Sequence, residues 1–293
     1  MSKVKQKKNY KRKSVISQTL IILIGVFIFL LLVFLLVKAK IISNNNVQDE
    51  SVQNETNQND GSSEVLGIKN TVTVSSYVFN EQNQMETAGY FTNLTGSSQK
   101  QKYVSLVLEE DKILSFKGTT LNKFVISTYD GETFETFTGT YSDDGQNLVL
   151  NFLTTTYNNY EIPSTIKIYV DGNYAILDGN KLMIDNRIAS VYSNDTLSSL
   201  PSIFGDNTIN FASLLIVRDN LSEFGVANQN KFMITGYNEN TWDYYFGEAY
   251  ENQGSLNLKM KGYGYNTIND IMPKEATLKV TSEGIMVDSN LLK

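Results

Sequence analysis

Two tyrosine–asparagine pairs are the residues of this sequence best suited to recognising a ligand. Tyr157-Asn158 and Tyr265-Asn266 lie 108 positions apart, and Tyr160 and Tyr263 are close to them. Loops are normally polar, so repeated exposed tyrosines beside asparagines would offer rings for stacking and amide donors for a glycan or a peptide. These six residues are the predicted ligand-binding candidates. The alternative is that the rings fold back and cover the end of a β-barrel.

Acidic residues suggest two further kinds of chemistry. Asp111 and Asp219 also lie 108 positions apart, each between apolar segments. Each is either a site carboxylate or a turn residue that caps its own backbone, and the turn is favoured. The run from Asp143 to Asn147 lacks the alternation and the distal glutamate of a Ca²⁺ loop, so a turn is favoured there too. No spacing singles out a glycosidase-like carboxylate pair.

The composition removes several classes of catalyst. The chain has no Cys and no His. It therefore lacks a thiolate nucleophile, a disulfide framework, the commonest general base and the commonest metal ligand. It also lacks a phosphate-binding glycine motif. We expect no enzyme activity, no catalytic residue, no metal site and no cofactor.

An internal duplication places these residues in a larger pattern. Residues 103–152 align with residues 211–260 without a gap, and thirteen of the 50 positions are identical, whereas roughly three would match by chance. After a short insertion in the second copy, Thr165–Ile168 are paired with Thr277–Val280, and Asp178, Asn180 and Leu182 with Asp288, Asn290 and Leu292. The repeated unit spans about residues 87–184 and 203–293.

Each repeat is predicted to be an antiparallel β-meander. Short segments rich in β-branched and aromatic residues are separated by Asp-Gly pairs at 130–131, 144–145, 171–172 and 178–179, and Asp-Gly favours the positive φ angles of tight hairpins. Seven or eight such strands per copy would form a small barrel or a sandwich. The fold class is therefore mainly β. The stripe Trp242, Tyr244 and Phe246 is expected to pack in a core.

The hairpins Tyr129–Phe134 and Gly139–Leu150 resemble those of small lipocalin-like β-modules of bacterial surface proteins. The resemblance covers about 60 residues of each copy. The second copy departs from it, with Asn238-Glu239 and Gln253-Gly254 in place of the Asp-Gly pairs. The resemblance implies a binding or scaffolding module without catalysis.

The N-terminal part of the chain is predicted to be a membrane anchor. Leu20–Val37 is a run of 18 apolar or Gly residues, close to the roughly 20 needed to span a bilayer. Seven basic residues precede the run and two follow it, so the N-terminus is predicted to stay inside. The run is longer than a signal-peptide core and has no small-x-small cleavage site.

The charge distribution fits that location. Residues 1–40 carry nine of the 25 basic residues and no acidic one, which leaves 16 basic against 31 acidic residues beyond them. An acidic domain is repelled by nucleic acid, so no nucleic-acid partner is expected. Secretion without disulfides suits a bacterium with a single membrane.

The sequence thus divides into five parts. These are a basic cytoplasmic tail (1–14), a transmembrane helix (15–42), a disordered linker (43–65) and two β-domains, copy 1 (66–190) and copy 2 (191–293). The favoured function is a single-pass, membrane-tethered extracellular protein that binds or scaffolds a cell-envelope component, such as a cell-wall polymer or a surface protein. The alternatives are an accessory subunit of a membrane secretion or transport complex and, third, an extracellular hydrolase.

Overall fold

The structure is a computed structural model, and it describes residues 70–83, 89–113, 119–155, 163–195, 197, 199–238, 241–264 and 271–293. The predicted tail, anchor Leu20–Val37 and linker lie outside these residues. Within the described part of the chain, no helix is long and apolar enough to cross a membrane. Residues Glu64–Lys293 form one compact unit.

Copy 1 is a closed antiparallel barrel of eight strands in sequential order. Its strands are β1 (Thr71–Asn80), β2 (Tyr103–Ile113), β3 (Thr119–Tyr129), β4 (Phe134–Asp143), β5 (Leu148–Thr155), β6 (Thr165–Asp171), β7 (Tyr174–Leu177) and β8 (Asn180–Ile184). β1 pairs with both β2 and β8, which closes the ring. The structure thus decides between the barrel and the sandwich that the sequence left open for this copy.

Copy 2 repeats the same strand order in one eight-stranded sheet. Its strands are β9 (Ala189–Asn194), β10 (Phe211–Asp219), β11 (Gln229–Tyr237), β12 (Trp242–Asn252), β13 (Ser255–Gly264), β14 (Glu275–Val280), β15 (Ile285–Val287) and β16 (Asn290–Leu292). The backbone amides of Ser193 and Lys293 each donate to the other's carbonyl oxygen, at 2.8 and 3.1 Å. These two bonds join the first and last strands of the sheet. The predicted tandem β-repeat is confirmed.

The Asp-Gly pairs form turns much as the sequence predicts. Gly131, Gly145 and Gly179 adopt positive φ angles, and Asp178 does so as well, at 51°. Asp288 occupies the matching turn of copy 2 with a φ of 53°. Gly172 is the exception, because its φ lies outside the left-handed region.

One predicted pairing between the copies is wrong by two residues. Leu148 of β5 lies opposite Ile168, and its counterpart Leu256 of β13 lies opposite Leu278. Ile168 therefore corresponds to Leu278, an offset of 110 residues and not the 112 that pairs it with Val280. A shift of two residues leaves the inward and outward alternation of a strand unchanged, so the sequence pattern could not detect the error.

Each barrel is filled by its own side chains. The interior of copy 1 includes Phe79, Phe124 and Phe137, and that of copy 2 includes Phe232 and Tyr245. A short helix covers one end of each: α1 (Thr92–Thr95) and α2 (Pro201–Phe204). Buried apolar residues of these lids join the interiors, namely Phe91 and Leu94 in copy 1 and Leu200, Ile203 and Phe204 in copy 2.

The repeated residues near the end of each copy hold these lids in place. The carboxylate of Asp178 accepts hydrogen bonds from the Leu94 amide at 2.9 Å and the Asn93 side chain at 2.8 Å. Asp288 accepts from the amide and hydroxyl of Ser202 at 3.3 and 3.1 Å. The aligned Asp residues therefore share one structural role.

The two copies pack against each other through the outer faces of equivalent strands. β2 and β3 contribute Val107 and Val125 to one apolar cluster. β10, β11 and β12 contribute Leu215, Val217, Met233, Tyr244 and Phe246, and the cluster also includes Ile188 and Ala189, with Trp242 packed against it. The predicted core packing of the Trp242 stripe is thereby confirmed, with the difference that the core lies between the copies. The other face of β12 places Tyr245 inside copy 2.

Candidate functional site

The candidate binding site is a cleft at the end of copy 2 that lies opposite the lid helix. We call it the mouth cleft. Its volume is about 480 Å³, within the range of roughly 300–1,000 Å³ that is usual for ligand sites. It is lined by Tyr192, Ile216, Arg218, Glu251, Asn252, Gln253, Gly254, Ser255, Leu256, Val280 and Ile285.

The floor of the mouth cleft is apolar because the barrel interior reaches it. Ile216, Leu256 and Ile285 are buried members of the copy 2 core, and Tyr192 packs against that core. Val280 stands at the edge with 41% of its surface exposed. Beyond the floor the interior is occupied by buried side chains such as Leu214 and Phe232. The cleft is therefore a shallow recess rather than a channel through the barrel.

The rim of the mouth cleft carries a charged pair in fixed geometry. Arg218 donates from Nε to Glu251 Oε1 at 2.8 Å and from Nη1 to the Ser190 hydroxyl at 2.9 Å. The side chains of Arg218 and Glu251 remain 33% and 46% exposed. The plane of the guanidinium is thus set by two partners, while one part of it still faces solvent.

The equivalent end of copy 1 carries a tyrosine ring. Tyr141 on β4 packs against the copy 1 core together with Leu148 and Val170. The matching residue of β12 is Ala249, because Phe124 lies opposite Gly139 just as Phe232 lies opposite Gly247. A methyl group cannot fill the space of a phenol ring, so copy 2 lacks at this end the ring that copy 1 places against its interior.

A second polar cluster lies buried between the copies. Lys123 Nζ contacts Asp111 at 2.8 Å, Glu109 at 3.3 Å, the Ser213 hydroxyl at 3.2 Å and the Thr235 hydroxyl at 2.6 Å. The Ser213 hydroxyl also donates to Asp111 at 2.9 Å. The predicted turn role of Asp111 is therefore wrong: it is a strand residue whose carboxylate is wholly buried.

Asp219 repeats this arrangement from the other side and corrects the same prediction. It pairs with Lys231 and accepts from the Ser105 hydroxyl at 2.6 Å and the Tyr103 hydroxyl at 3.0 Å. The Ser105 hydroxyl donates to Asp219 just as the Ser213 hydroxyl donates to Asp111. The two halves of the interface are therefore related by an approximate twofold axis. Lys231 also lies 3.8 Å above the ring of Phe134. Burial lowers the pKa of Lys231, against the opposing charge of Asp219.

Glu109 breaks the symmetry of this cluster. Burial raises its pKa to about 8, with Lys123 acting in the opposite direction and Asp111 adding to the increase. The matching position in copy 2 is Val217, since Leu108 and Ile216 occupy equivalent positions one residue earlier. All these groups are in the interface and none borders the mouth cleft, so the cluster is structural.

No family model, curated protein or solved structure matches this chain.

Most of the predicted ligand-binding residues lie outside the described part of the chain. These are Tyr157, Asn158, Tyr160, Tyr265 and Asn266. Tyr263 is described: it lies on β13 opposite Tyr245 of β12 and is 49% exposed. It does not line the mouth cleft, which is reached from the Ser255 end of the same strand.

The run from Asp143 to Asn147 forms a turn, as predicted. Asp143 accepts from the Gly145 amide at 2.7 Å, and Asp144 accepts from the Asn147 amide at 2.8 Å. The Lys167 ammonium and the backbone amides of Asn147 and Gln146 lower the pKa of Asp144 to about 2. Across the described ranges, no group of three or more acidic residues is placed to hold a metal ion.

A second cleft, of about 410 Å³, lies beside the closing pair of copy 2. It is lined by Asn70, Ser193, Asn194, Asp195, Phe211, Leu291 and Lys293. The backbone groups of Ser193 and Lys293 at its wall are already paired with each other. Its lining includes Asp195 and Lys293, but the structure describes no ion pair between them like that of Arg218 and Glu251, so we regard the mouth cleft as the stronger candidate.

Sequence reasoning missed Arg218, Glu251 and Ala249 because it looked for residues that the two copies share. The site is instead indicated by positions at which the two copies carry different residues. Copy 1 has Glu110 and Tyr141 where copy 2 has Arg218 and Ala249, and both exchanges fall at the same end of the barrel.

Proposed function

We propose that this protein is a membrane-tethered extracellular binding or scaffold protein that engages a cell-envelope component through its duplicated β-modules. The mouth cleft of copy 2 is the observation that carries the proposal. One copy of the duplicated module has the Tyr141 ring packed against its interior at this end, and the other has an accessible recess with an apolar floor and a charged rim. Such a difference fits a protein in which copy 1 is a structural support and copy 2 binds the ligand.

The tether follows from the N-terminal sequence. Leu20–Val37 would hold the chain in the membrane with residues 1–14 inside. Treated as a coil, the 22 residues of Ser43–Glu64 span about 25 Å. The β-modules could then reach positions within about that distance of the outer membrane face, where cell-wall polymers and other surface proteins are found.

Binding without catalysis fits the chemistry of the mouth cleft. Glu251 is the single carboxylate among the lining residues that the structure describes, and Arg218 engages it. Hydrolysis of a glycosidic bond by the usual route needs two carboxyl groups on either side of the bond. We therefore propose no enzymatic activity for this site.

Co-sedimentation of residues 65–293 with isolated cell walls tests the proposal. The wild-type fragment should pellet with the walls, and Ala249→Tyr should reduce the bound fraction at least about fivefold, because the new ring fills the recess as Tyr141 does in copy 1. Leu153→Tyr adds the same ring to an exposed site of copy 1 and should bind like the wild type. Equal binding by Ala249→Tyr would contradict the assignment of the mouth cleft.

The same assay tests the tyrosine loops. If Tyr157 and Tyr265 contact the ligand, the double variant Tyr157→Ala plus Tyr265→Ala should bind less than the wild type. Unchanged binding by this variant, together with loss in Ala249→Tyr, would assign recognition to the mouth cleft alone.

A further inference from the structure

We propose that the mouth cleft of copy 2 binds an aromatic side chain, a tyrosine, presented by a partner polypeptide. The inference rests on the proposed binding function and names its ligand class. Its starting point is that the chain itself places a tyrosine ring in the same position of the sister module.

Copy 1 shows how the ring is held. Tyr141 packs against the buried interior of the barrel, and Leu148 and Val170 pack against the same interior. Its pKa is raised above the ordinary value, chiefly by burial and next by the charge of Glu110. The ring is therefore largely removed from solvent, and the charge of Glu110 acts on its hydroxyl.

Copy 2 keeps the walls of this position and omits the ring. Leu256 replaces Leu148, and Val280 replaces Val170. Tyr192 stands opposite Leu214 as Tyr77 stands opposite Leu106. Val280 is 41% exposed, whereas Val170 is half-buried and packs against the copy 1 core. The recess therefore has the walls of a ring site and lacks the ring.

The rim chemistry also favours a phenol. Arg218 occupies the position of Glu110, so the hydroxyl of an incoming tyrosine would meet a guanidinium instead of a carboxylate. A guanidinium donates to a phenol oxygen and is attracted to the face of an aromatic ring. Arg218 is fixed by Glu251 and Ser190, so little side-chain freedom is lost when the ring binds.

Two other ligand classes fit the recess less well. A sugar would place the hydroxyl groups on one side of its ring against Ile216, Leu256 and Ile285, which offer no hydrogen-bond partner. Only its outer hydroxyls could reach the polar lining residues such as Asn252 and Ser255, so part of the cost of desolvation would not be offset. An acyl chain needs depth, and the barrel beyond the floor is filled by buried residues such as Phe232. A single aromatic ring attached to a polypeptide fits both the apolar floor and the shallow depth of the mouth cleft.

The test uses the full-length chain in lipid nanodiscs and saturation-transfer NMR. The probe is N-acetyl-L-tyrosinamide, with N-acetyl-L-leucinamide and N-acetylglucosamine as matched comparisons. The ring protons of the tyrosine probe should receive saturation from the protein, and the other two compounds should receive little. Equal binding of all three, or stronger binding of the sugar, would overturn the inference.

Three variants locate the binding. Ala249→Tyr should weaken binding of the tyrosine probe at least about tenfold, whereas Leu153→Tyr should not change it. Arg218→Met, which keeps the side-chain stem, should weaken binding about threefold to tenfold through loss of the cation. Tyr141→Ala should open the matching site of copy 1 and add a second binding event. Near-UV circular dichroism checks that each variant is folded, and undiminished binding in both Ala249→Tyr and Arg218→Met would refute the assignment.

The experiments distinguish failure of the tyrosine-ligand inference from failure of the proposed binding to the cell envelope. Capture by cell walls that Ala249→Tyr abolishes, with no binding of the tyrosine probe, would keep the proposed function and reject the aromatic ligand. Binding of the probe that depends on Ala249, without capture by walls, would support the aromatic ligand and reject a wall polymer as the partner.

Discussion

Glu109 shows how a single residue distinguishes two copies that otherwise share an interface. It lies beside Asp111 and Lys123 in a space from which water is excluded. Two ionised carboxylates would face one ammonium there, so the proton on Glu109 offsets the excess negative charge. Copy 2 has no such excess of negative charge. Val217 stands in place of Glu109, so Asp219 alone faces Lys231 at the equivalent position.

This arrangement predicts a loss of stability with rising pH. The pKa of Glu109 is about 8 in the folded protein and has an ordinary value of 4.5. Between these values the folded state holds a proton that the unfolded chain has released, so the free energy of unfolding falls as the pH rises from about 4.5 to about 8. The contribution is on the order of a few kcal/mol across this window.

Glu109→Gln should flatten that dependence, since the amide keeps the shape and does not titrate. Urea denaturation of residues 64–293 at several pH values between 5 and 8 measures the slope. Glu132→Gln, at an exposed turn position, serves as the control and should leave the slope as in the wild type. A slope unaffected by Glu109→Gln would mean that Glu109 is not the titrating group.

At the scale of the element, the irregularity of β4 and β12 depends on two aligned glycines. The register between β4 and β5 shifts at Gly139, and that between β12 and β13 shifts at Gly247. A Cβ atom on either glycine would lie 2.0 Å from a backbone carbonyl oxygen of the neighbouring strand. The bulge brings the two backbones together more closely than any side chain allows.

Gly139→Ala should therefore destabilise copy 1 by more than about 3 kcal/mol, because a backbone oxygen cannot move aside as a flexible side chain can. Gly172→Ala is a suitable comparison. A Cβ there meets nothing within 4 Å, and its φ lies outside the left-handed region, so the change should stay within about 0.5 kcal/mol. Urea denaturation measures both, and similar midpoints for the two variants would contradict the close approach at Gly139.

The elements were largely predictable from sequence, and the contacts between them were not. Alternating apolar residues and Asp-Gly pairs indicate strands and hairpins, which the structure contains. The buried role of Asp111 was not predictable, because a charged residue between apolar segments is far more often found in a turn than in an interface. The mouth cleft escaped detection for a related reason, since its floor is made of core residues such as Ile216 and Leu256, which have no polar chemistry.

At the scale of the whole molecule, the interface between the copies resembles that of a symmetric dimer. Ser105 bonds to Asp219 and Ser213 bonds to Asp111, which is the reciprocal pattern of an isologous contact. Several of the identities that reveal the duplication, including the Ser, Asp and Lys positions, lie in this interface. Duplication of a gene whose product formed a homodimer would give this arrangement.

Copy 2 alone should therefore form a homodimer. All of its strands lie within residues 189–293, and its interior draws on residues of copy 2 alone. Removal of copy 1 exposes Leu215, Val217 and Phe246, and a second copy 2 would cover them while Ser213 of each subunit donated to Asp219 of the other. Isolated copy 1 should associate less tightly, because two Glu109 side chains would enter its interface.

Sedimentation velocity of residues 186–293 at increasing concentration measures this association. Asp219→Lys places a second cation beside Lys231 and should leave the fragment monomeric with its fold intact, since the interior of copy 2 is untouched. Circular dichroism confirms the fold in each case. A folded wild-type fragment that stays monomeric would show that the contact needs the covalent link between the copies, and the origin from a symmetric dimer would then lose its support.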